Sequence, residues 1–334
     1  MLDKLLFLFA AAGAVASLRP NILNGTPSDD GQDSVVMLFR LNDEKTSGNV
    51  CTAALIAPRL LLTARHCVAE TDDSLVACQP DGTPIAGSGG AVRRNFDPAS
   101  IYVFTGKERA AFTRLGPPTN EVDSTKWQPA ARGSQIFDDF SATLCNHDIA
   151  LVLTDTPITN VPIAKLRLNG EPKEGEAIVN VGYGITDKEF EPPVRQQRRD
   201  VTVKKVGPFD SFPILARNEF SFSESICEGD SGGPILAGST GAVIGVVSRG
   251  TNGEDPVSPG ATCPLADNIG TKLAPFREML DQGFAAAGAQ PQLEPEEDDG
   301  CSVSAAGRGS DGGAALLGLA AALVVRRKRK TVVS

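Results

Sequence analysis

Ser231 lies inside Glu228-Gly229-Asp230-Ser231-Gly232-Gly233-Pro234, and its neighbours are those a nucleophilic hydroxyl needs. A serine hydroxyl is a weak nucleophile at neutral pH until an adjacent base takes its proton. Flanking glycines let the backbone turn tightly enough to aim amide hydrogens at one point. Such donors stabilise the oxyanion of a tetrahedral intermediate, commonly the largest single catalytic contribution. The N–H groups of Gly229 and Ser231 are the candidates. The chain offers only two histidines as base, His66 and His147. His66 closes Leu61-Leu62-Thr63-Ala64-Arg65-His66, just after an apolar strand and beside Cys67, which can anchor its loop. Asp148 opens another apolar strand in His147-Asp148-Ile149-Ala150-Leu151, while His147 reads as an ordinary loop histidine. A serine, a histidine and an aspartate in these settings point to acyl transfer, with base, orienting carboxylate and nucleophile in named places.

Chain order separates two folds that use this chemistry. Gly229 to Gly233 also fits Gly-x-Ser-x-Gly, the nucleophile elbow of α/β-hydrolases, in which the histidine follows the serine. Both histidines precede Ser231, and Pro234 with a β-like run follows it instead of a helix, so the elbow reading fails. From His66 through Asp148 to Ser231, and in Gly-Asp-Ser-Gly-Gly-Pro above all, the chain resembles the trypsin/chymotrypsin-like serine proteases from about Ile22 to Ala286.

The resemblance implies an all-β fold of two antiparallel six-stranded β-barrels, about 22–158 and 159–274, with a short C-terminal helix. It implies a serine endopeptidase working through an acyl-enzyme on protein or peptide substrates, with no cofactor and no metal. His66 would be general base and then acid, Asp148 would hold its tautomer, and Ser231 would attack the carbonyl. Ser248, in Val246-Val247-Ser248-Arg249-Gly250, would pair with substrate backbone and support the aspartate. In the pocket for the residue before the scissile bond, Ser225 falls at the floor, Gly250 leaves one wall open and Asn268 lines the other. An uncharged side chain is then favoured, unless a one-residue slip brings Asp267 inward and inverts the preference. A freed Ile22 amine would pair with Asp230 and order the oxyanion loop. Cys51–Cys67 and Cys227–Cys263 would be disulfides, which leaves Cys78 and Cys145 for each other. Arg65 and Arg249 depart from the family, which normally has alanine and an aromatic residue there, and Thr52 lies in a strand that is usually richer in glycine. The alternative function is a catalytically idle binding module or adhesin on the same fold; an ester-only hydrolase is a third reading.

Positioning such a set takes a β-rich body. Apolar β-prone runs at 35–41, 50–57, 101–105, 149–153, 177–183, 200–206, 219–223 and 242–248 alternate with Gly, Pro, Asn and Asp. Pro275–Ala287 has helical spacing, and Gln79–Asn95 reads as an inserted loop. Hydrophobic residues make up 41% and charged residues 22%, enough for a sizeable core. A net charge of −9 gives no footprint for nucleic acid. Six of the seven cysteines fall in this body, without a Cys-x-x-Cys pair, and so favour disulfides and an oxidising compartment over zinc.

Both ends read as addresses. Residues 1–16 have the form of a signal peptide and 17–21 of a short propeptide. Residues 287–300 form an acidic linker. Cys301, the apolar run 314–325 and the Arg/Lys cluster after it resemble myxobacterial sorting tails of the MYXO-CTERM type. That resemblance implies a sorting protease acting near Cys301, transient or permanent membrane association, and an extracellular or cell-surface location.

Overall fold

A computed structural model describes residues 25–72, 75–119, 121–186, 189, 191–250, 263 and 265–295. Residues 1–21, Ile22 and the sorting segment with Cys301 lie outside them.

The strands in chain order are β1 (Thr26–Pro27), β2 (Val35–Leu41), β3 (Gly48–Ala57), β4 (Leu60–Thr63), β5 (Ala69–Thr71), β6 (Val92–Asn95), β7 (Ile101–Phe104), β8 (Ala131–Phe137) and β9 (Ala150–Thr154). They continue with β10 (Ala177–Gly182), β11 (Gln196–Val206), β12 (Glu219–Phe222), β13 (Pro234–Ala237), β14 (Val243–Gly250) and β15 (Asn268–Lys272), before helix α1 (Arg277–Ala287). β2-β3-β4-β9-β8-β7 closes into one antiparallel barrel. β11-β10-β13-β14-β15-β12 forms the second, closed by the pairing of β11 with β12. The two-barrel expectation holds.

The apolar runs are nearly continuous because these strands are buried on both faces. In β4, Leu61 points into the first barrel with Val36, Leu38 and Leu55, while Leu60 and Leu62 join a separate core with Met37, Val181, Tyr183 and Val246. That second core takes residues from both barrels and from α1, through Met279, Leu280 and Phe284. Each such leucine contributes about 1.5–3 kcal/mol by leaving water, so the sheet faces that carry the site are fixed from behind.

Four features depart from the sequence expectation. β1 hydrogen-bonds to the second barrel, with Thr26 opposite Gln197, instead of opening the first. β11 is long: its far half turns to β12, and its near half, at Gln196 and Gln197, takes β1 on the side away from β10. The inserted loop ends in a strand, β6, paired with β5. Its sequence Val-Arg-Arg-Asn carries no apolar alternation; ion pairs from Arg93 and Arg94 to Glu70 accompany the pairing instead. The compact unit also runs on to Pro295, past the expected boundary at 286. After Gly288 the chain folds back beside Leu166, whose N–H donates to Gln292 (2.8 Å) and whose carbonyl accepts from Glu294 N–H (2.9 Å). Glu294 takes both arms of Arg167, which also pairs with Glu176.

All three disulfides are present: Cys51–Cys67, Cys78–Cys145 and Cys227–Cys263. Cys78–Cys145 spans the widest sequence separation, 67 residues, and ties the insertion to the strand entrance that holds Asp148. Replacing both cysteines by serine is expected to lower unfolding free energy by about 3–4 kcal/mol, read as a lower urea midpoint with a steeper slope, because the uncrosslinked unfolded chain exposes more surface.

Candidate active site

Strand register brings the histidine and the aspartate together. β4 and β9 are antiparallel neighbours with Thr63 opposite Ala150. A short turn at Arg65–Cys67 follows the end of β4, and Asp148 stands just before the start of β9, so both emerge at one rim. His66 donates its backbone N–H to Asp148 Oδ1 (3.0 Å), and its Nδ1 lies 2.8 Å from Asp148 Oδ2. The Oγ–H of Ser248, on β14 of the other barrel, donates to the same Oδ2 at 2.6 Å. Asp148 is 1% exposed, while His66 keeps 24% of its side chain open to solvent.

Electrostatics follow from this wiring. Burial alone pushes the Asp148 carboxyl up, yet the His66 charge and the hydrogen bonds from the His66 ring, Ser248 and the His66 backbone outweigh it and hold the carboxyl below its ordinary range. Burial pulls the His66 imidazole down, but attraction and hydrogen bonding to Asp148 leave it raised, against an opposing push from Arg249. The imidazolium is stabilised where a general base would form it.

Ser231 sits on the loop between Cys227 and β13, half-buried. Its carbonyl accepts the Thr52 N–H (2.9 Å), and the Gly232 N–H donates to Val247 O (2.8 Å), which fixes the loop between the two barrels. Gly232 has φ +76°, and a Cβ there would lie 2.0 Å from Thr63 Oγ1, on the very turn that leads to His66. Gly229 has φ +95° with its carbonyl bonded to Thr52 Oγ1 (2.9 Å). Only glycine suits either position. Among the described residues, the N–H groups of Gly229 and Ser231 have no protein acceptor. Thr52, a departure in the sequence, thus braces the Gly229–Ser231 loop and also accepts the Tyr183 N–H (3.1 Å).

Asp230 is turned away from Ser231 and buried, accepting the N–H groups of Gly184 (2.8 Å) and Cys227 (2.9 Å). Burial drives its carboxyl up, and those two bonds and the charge of Arg109 recover only part, so it is pushed up to about 6. Among the described residues no cation forms an ion pair with it.

The candidate specificity pocket is uncharged at its base. Ser225 is fully buried, accepting from Asn180 Nδ2 (2.6 Å) and donating to Ser223 O (3.1 Å). Asn268 Nδ2 donates to the same carbonyl (3.1 Å). The β14–β15 register sets Gly250 opposite Asn268, and Asp267 pairs outward with Lys204 (2.7 Å). No slip turns Asp267 inward.

Several partners escaped sequence reading. Arg65, beside the histidine, is buried against Asp138 (2.5 Å), and Asp138 also receives Asn95 Nδ2 (2.7 Å) from the insertion. His147 pairs with Asp139 and lies apart from Asp148's bonds. Arg249 makes a two-pronged ion pair with Glu219 at 2.8 and 3.0 Å. Polar residues within apolar strands gave no signal of which partner they would meet. Cys51, Cys67 and His66 cluster closely enough to suggest a metal site, but the two sulfurs are bonded to each other and offer no thiolate.

Two closed β-barrels, with the bonded His66–Asp148 pair at the rim of one and the glycine-flanked Ser231 on a loop of the other, have the architecture of the serine endopeptidases. The family model described as Trypsin matches residues 22–269, and the chain belongs to that family. It is 24% identical over 245 residues to the cercarial protease of Schistosoma mansoni, covering 71% of this chain and 80% of that protein. It is likewise 24% identical over 242 residues to hypodermin-B of Hypoderma lineatum, covering 66% and 76%. Among solved structures, neuropsin, a serine protease expressed in the limbic system of mouse brain, is similar in fold: TM-score 0.51 at 19% identity, over 78% of this chain and 99% of that one.

Proposed function

We propose that the chain is an exported serine endopeptidase in which Ser231 is the nucleophile, His66 the base and Asp148 the residue that orients it. The observation that carries this reading is the bonded series Ser248–Asp148–His66 ending at the rim where the Ser231 loop is pinned. His66 Nε2, free of Asp148, would take the Ser231 proton as Oγ attacks the carbonyl carbon. The N–H groups of Gly229 and Ser231 would hold the resulting oxyanion. His66 would then hand the proton to the leaving amine, giving an acyl-enzyme, and a water activated in the same way would release the acid.

Activation follows from Asp230. A buried carboxylate without a contacting cation is costly, and an Ile22 amine freed by cleavage would supply one and fix the oxyanion loop. Export fits three disulfides, which persist in oxidising compartments. The signal peptide at 1–16, the sorting role of Cys301, and retention at or release from the surface belong to this proposal.

Fluorophosphonate labelling of protein beginning at Ile22 tests it. Labelling that Ser231→Ala abolishes supports the assembled set; no labelling of folded protein with a free Ile22 amine overturns it. For specificity, Ser225→Asp is expected to shift preference before the scissile bond from uncharged side chains to Arg and Lys, by about 100-fold in kcat/KM ratio. Cleavage of a peptide library by both forms measures it, and an unchanged profile would place the pocket elsewhere.

A further inference from the structure

We infer that Arg249 and Glu219 form a positioning pair that holds Ser248 in the orientation that supports Asp148 and sets a compensated positive charge beside His66. This rests on the assignment of His66 as the base.

Glu219, at the start of β12, is 1% exposed, and four donors converge on it. Two come from the Arg249 guanidinium, and the Asn146 N–H (3.3 Å) and Ala216 N–H (2.9 Å) supply the others. A two-pronged guanidinium–carboxylate pair fixes orientation as well as distance, so Arg249 cannot swing out as an exposed arginine would. Its Nη1 is thereby held 3.4 Å from Ser248 Oγ. That hydroxyl has a single hydrogen, already given to Asp148, so only its lone pairs can face Arg249. The N–H of Arg249 therefore favours the one hydroxyl rotamer that donates to Asp148. On its other side Nη2 lies 3.3 Å from Cys78 of the Cys78–Cys145 disulfide, which limits movement that way.

Arg249 also lines a cavity of about 190 Å³ together with His66, Asp148, Ser248 and Asp72, the residue after β5. The charged groups facing His66 are thus Asp148 from before β9, Asp72 from after β5, and Arg249 from β14, with Glu219 behind Arg249. Arg65 on the histidine's own turn is taken up by Asp138. A positive charge at Arg249 disfavours the imidazolium, and Glu219 moderates that effect.

The two members therefore push in opposite directions. Arg249→Met leaves the Glu219 charge facing the site and should move the His66 titration to higher pH. Glu219→Gln leaves Arg249 uncompensated and should move it to lower pH. Arg249→Lys keeps the charge but loses the fork, so the titration stays while kcat falls. The chain has two histidines, so ¹⁵N NMR titration of the full-length protein, with His147→Gln for assignment, reads His66 directly. In protein cut to begin at Ile22, kcat/KM should fall about tenfold in Arg249→Met and Glu219→Gln, mostly in kcat. Opposite shifts establish the pair as a positioning device. Unmoved titrations, or two shifts of one sign, overturn it. If Arg249→Met does not fold, a shift to lower pH in Glu219→Gln beside a reduced kcat at unmoved titration in Arg249→Lys supports the pair, and an unmoved titration in Glu219→Gln or an unchanged kcat in Arg249→Lys overturns it. The NMR readout does not need turnover, so a failure of fluorophosphonate labelling would sink the peptidase reading separately from this coupling.

Discussion

Replacing Ser231 by alanine is expected to lower kcat by about 10⁵–10⁶-fold, with KM for a peptide substrate nearly unchanged. The change removes one oxygen from a half-buried position whose backbone is held by bonds that alanine retains: Thr52 N–H to the residue 231 carbonyl, and Gly232 N–H to Val247 O. The loop and its two outward N–H groups should therefore stay in place. What is lost is the hydroxyl proposed as the nucleophile, and with it the acyl-enzyme route. A residual rate above water, from oxyanion stabilisation and binding alone, should survive. Steady-state kinetics on a peptide amide, with fluorophosphonate labelling as a parallel readout, measures both. A loss below tenfold would exclude Ser231 as nucleophile.

Asp148→Asn should cost about 10⁴-fold in kcat at neutral pH, although it alters a single atom and no shape. Asp148 Oδ2 accepts from two donors, the His66 ring and the Ser248 hydroxyl, while Oδ1 accepts the His66 backbone N–H. An asparagine amide must place its NH₂ against one of these sets of donors. The simplest relief gives His66 the other tautomer, with Nδ1 accepting from the amide and the ring proton on Nε2. That nitrogen can then no longer take a proton from Ser231. Imidazole ¹⁵N shifts should show the ring proton moving from Nδ1 to Nε2 in the variant. A full loss of rate with the tautomer unchanged would mean that the negative charge of Asp148, not its hydrogen-bond direction, does the stabilising.

The parts legible in the sequence were those in which a residue's own chemistry dictates its setting. Gly232 had to be glycine because its Cα abuts Thr63, and that constraint wrote itself into the motif around Ser231. Strands such as β2, β3 and β9 announced themselves as apolar runs because both faces are buried. β8, Ala-Arg-Gly-Ser-Gln-Ile-Phe, is not legible as an apolar run, since only Ala131, Ile136 and Phe137 reach the cores and the residues between them are polar or glycine. The insertion's β6 carries no apolar pattern at all, its pairing with β5 being accompanied by the Arg93 and Arg94 ion pairs to Glu70. Arg249 was recognised as an oddity, but its partner Glu219 lies on a different strand and looked like a strand's polar start. Pair formation across the fold leaves no local trace in either segment. The Asn268 register was open by one residue in sequence, and only the β14–β15 ladder closed that choice.

The return of the chain after α1 has a mechanical consequence. Any tension entering from beyond Pro295 would reach the body first through Glu294, gripped by both arms of Arg167 and by the Thr240 hydroxyl, and through its backbone bond to Leu166. This fastening comes before the helix, so α1 and the core it shares with β4 and β9 stay unloaded until the fastening gives way. The rim that carries His66 and Asp148 stands at the ends of those two strands. A pull on the chain beyond Pro295 would then leave that rim in register while the load is borne by one arginine and the carboxylate it clasps.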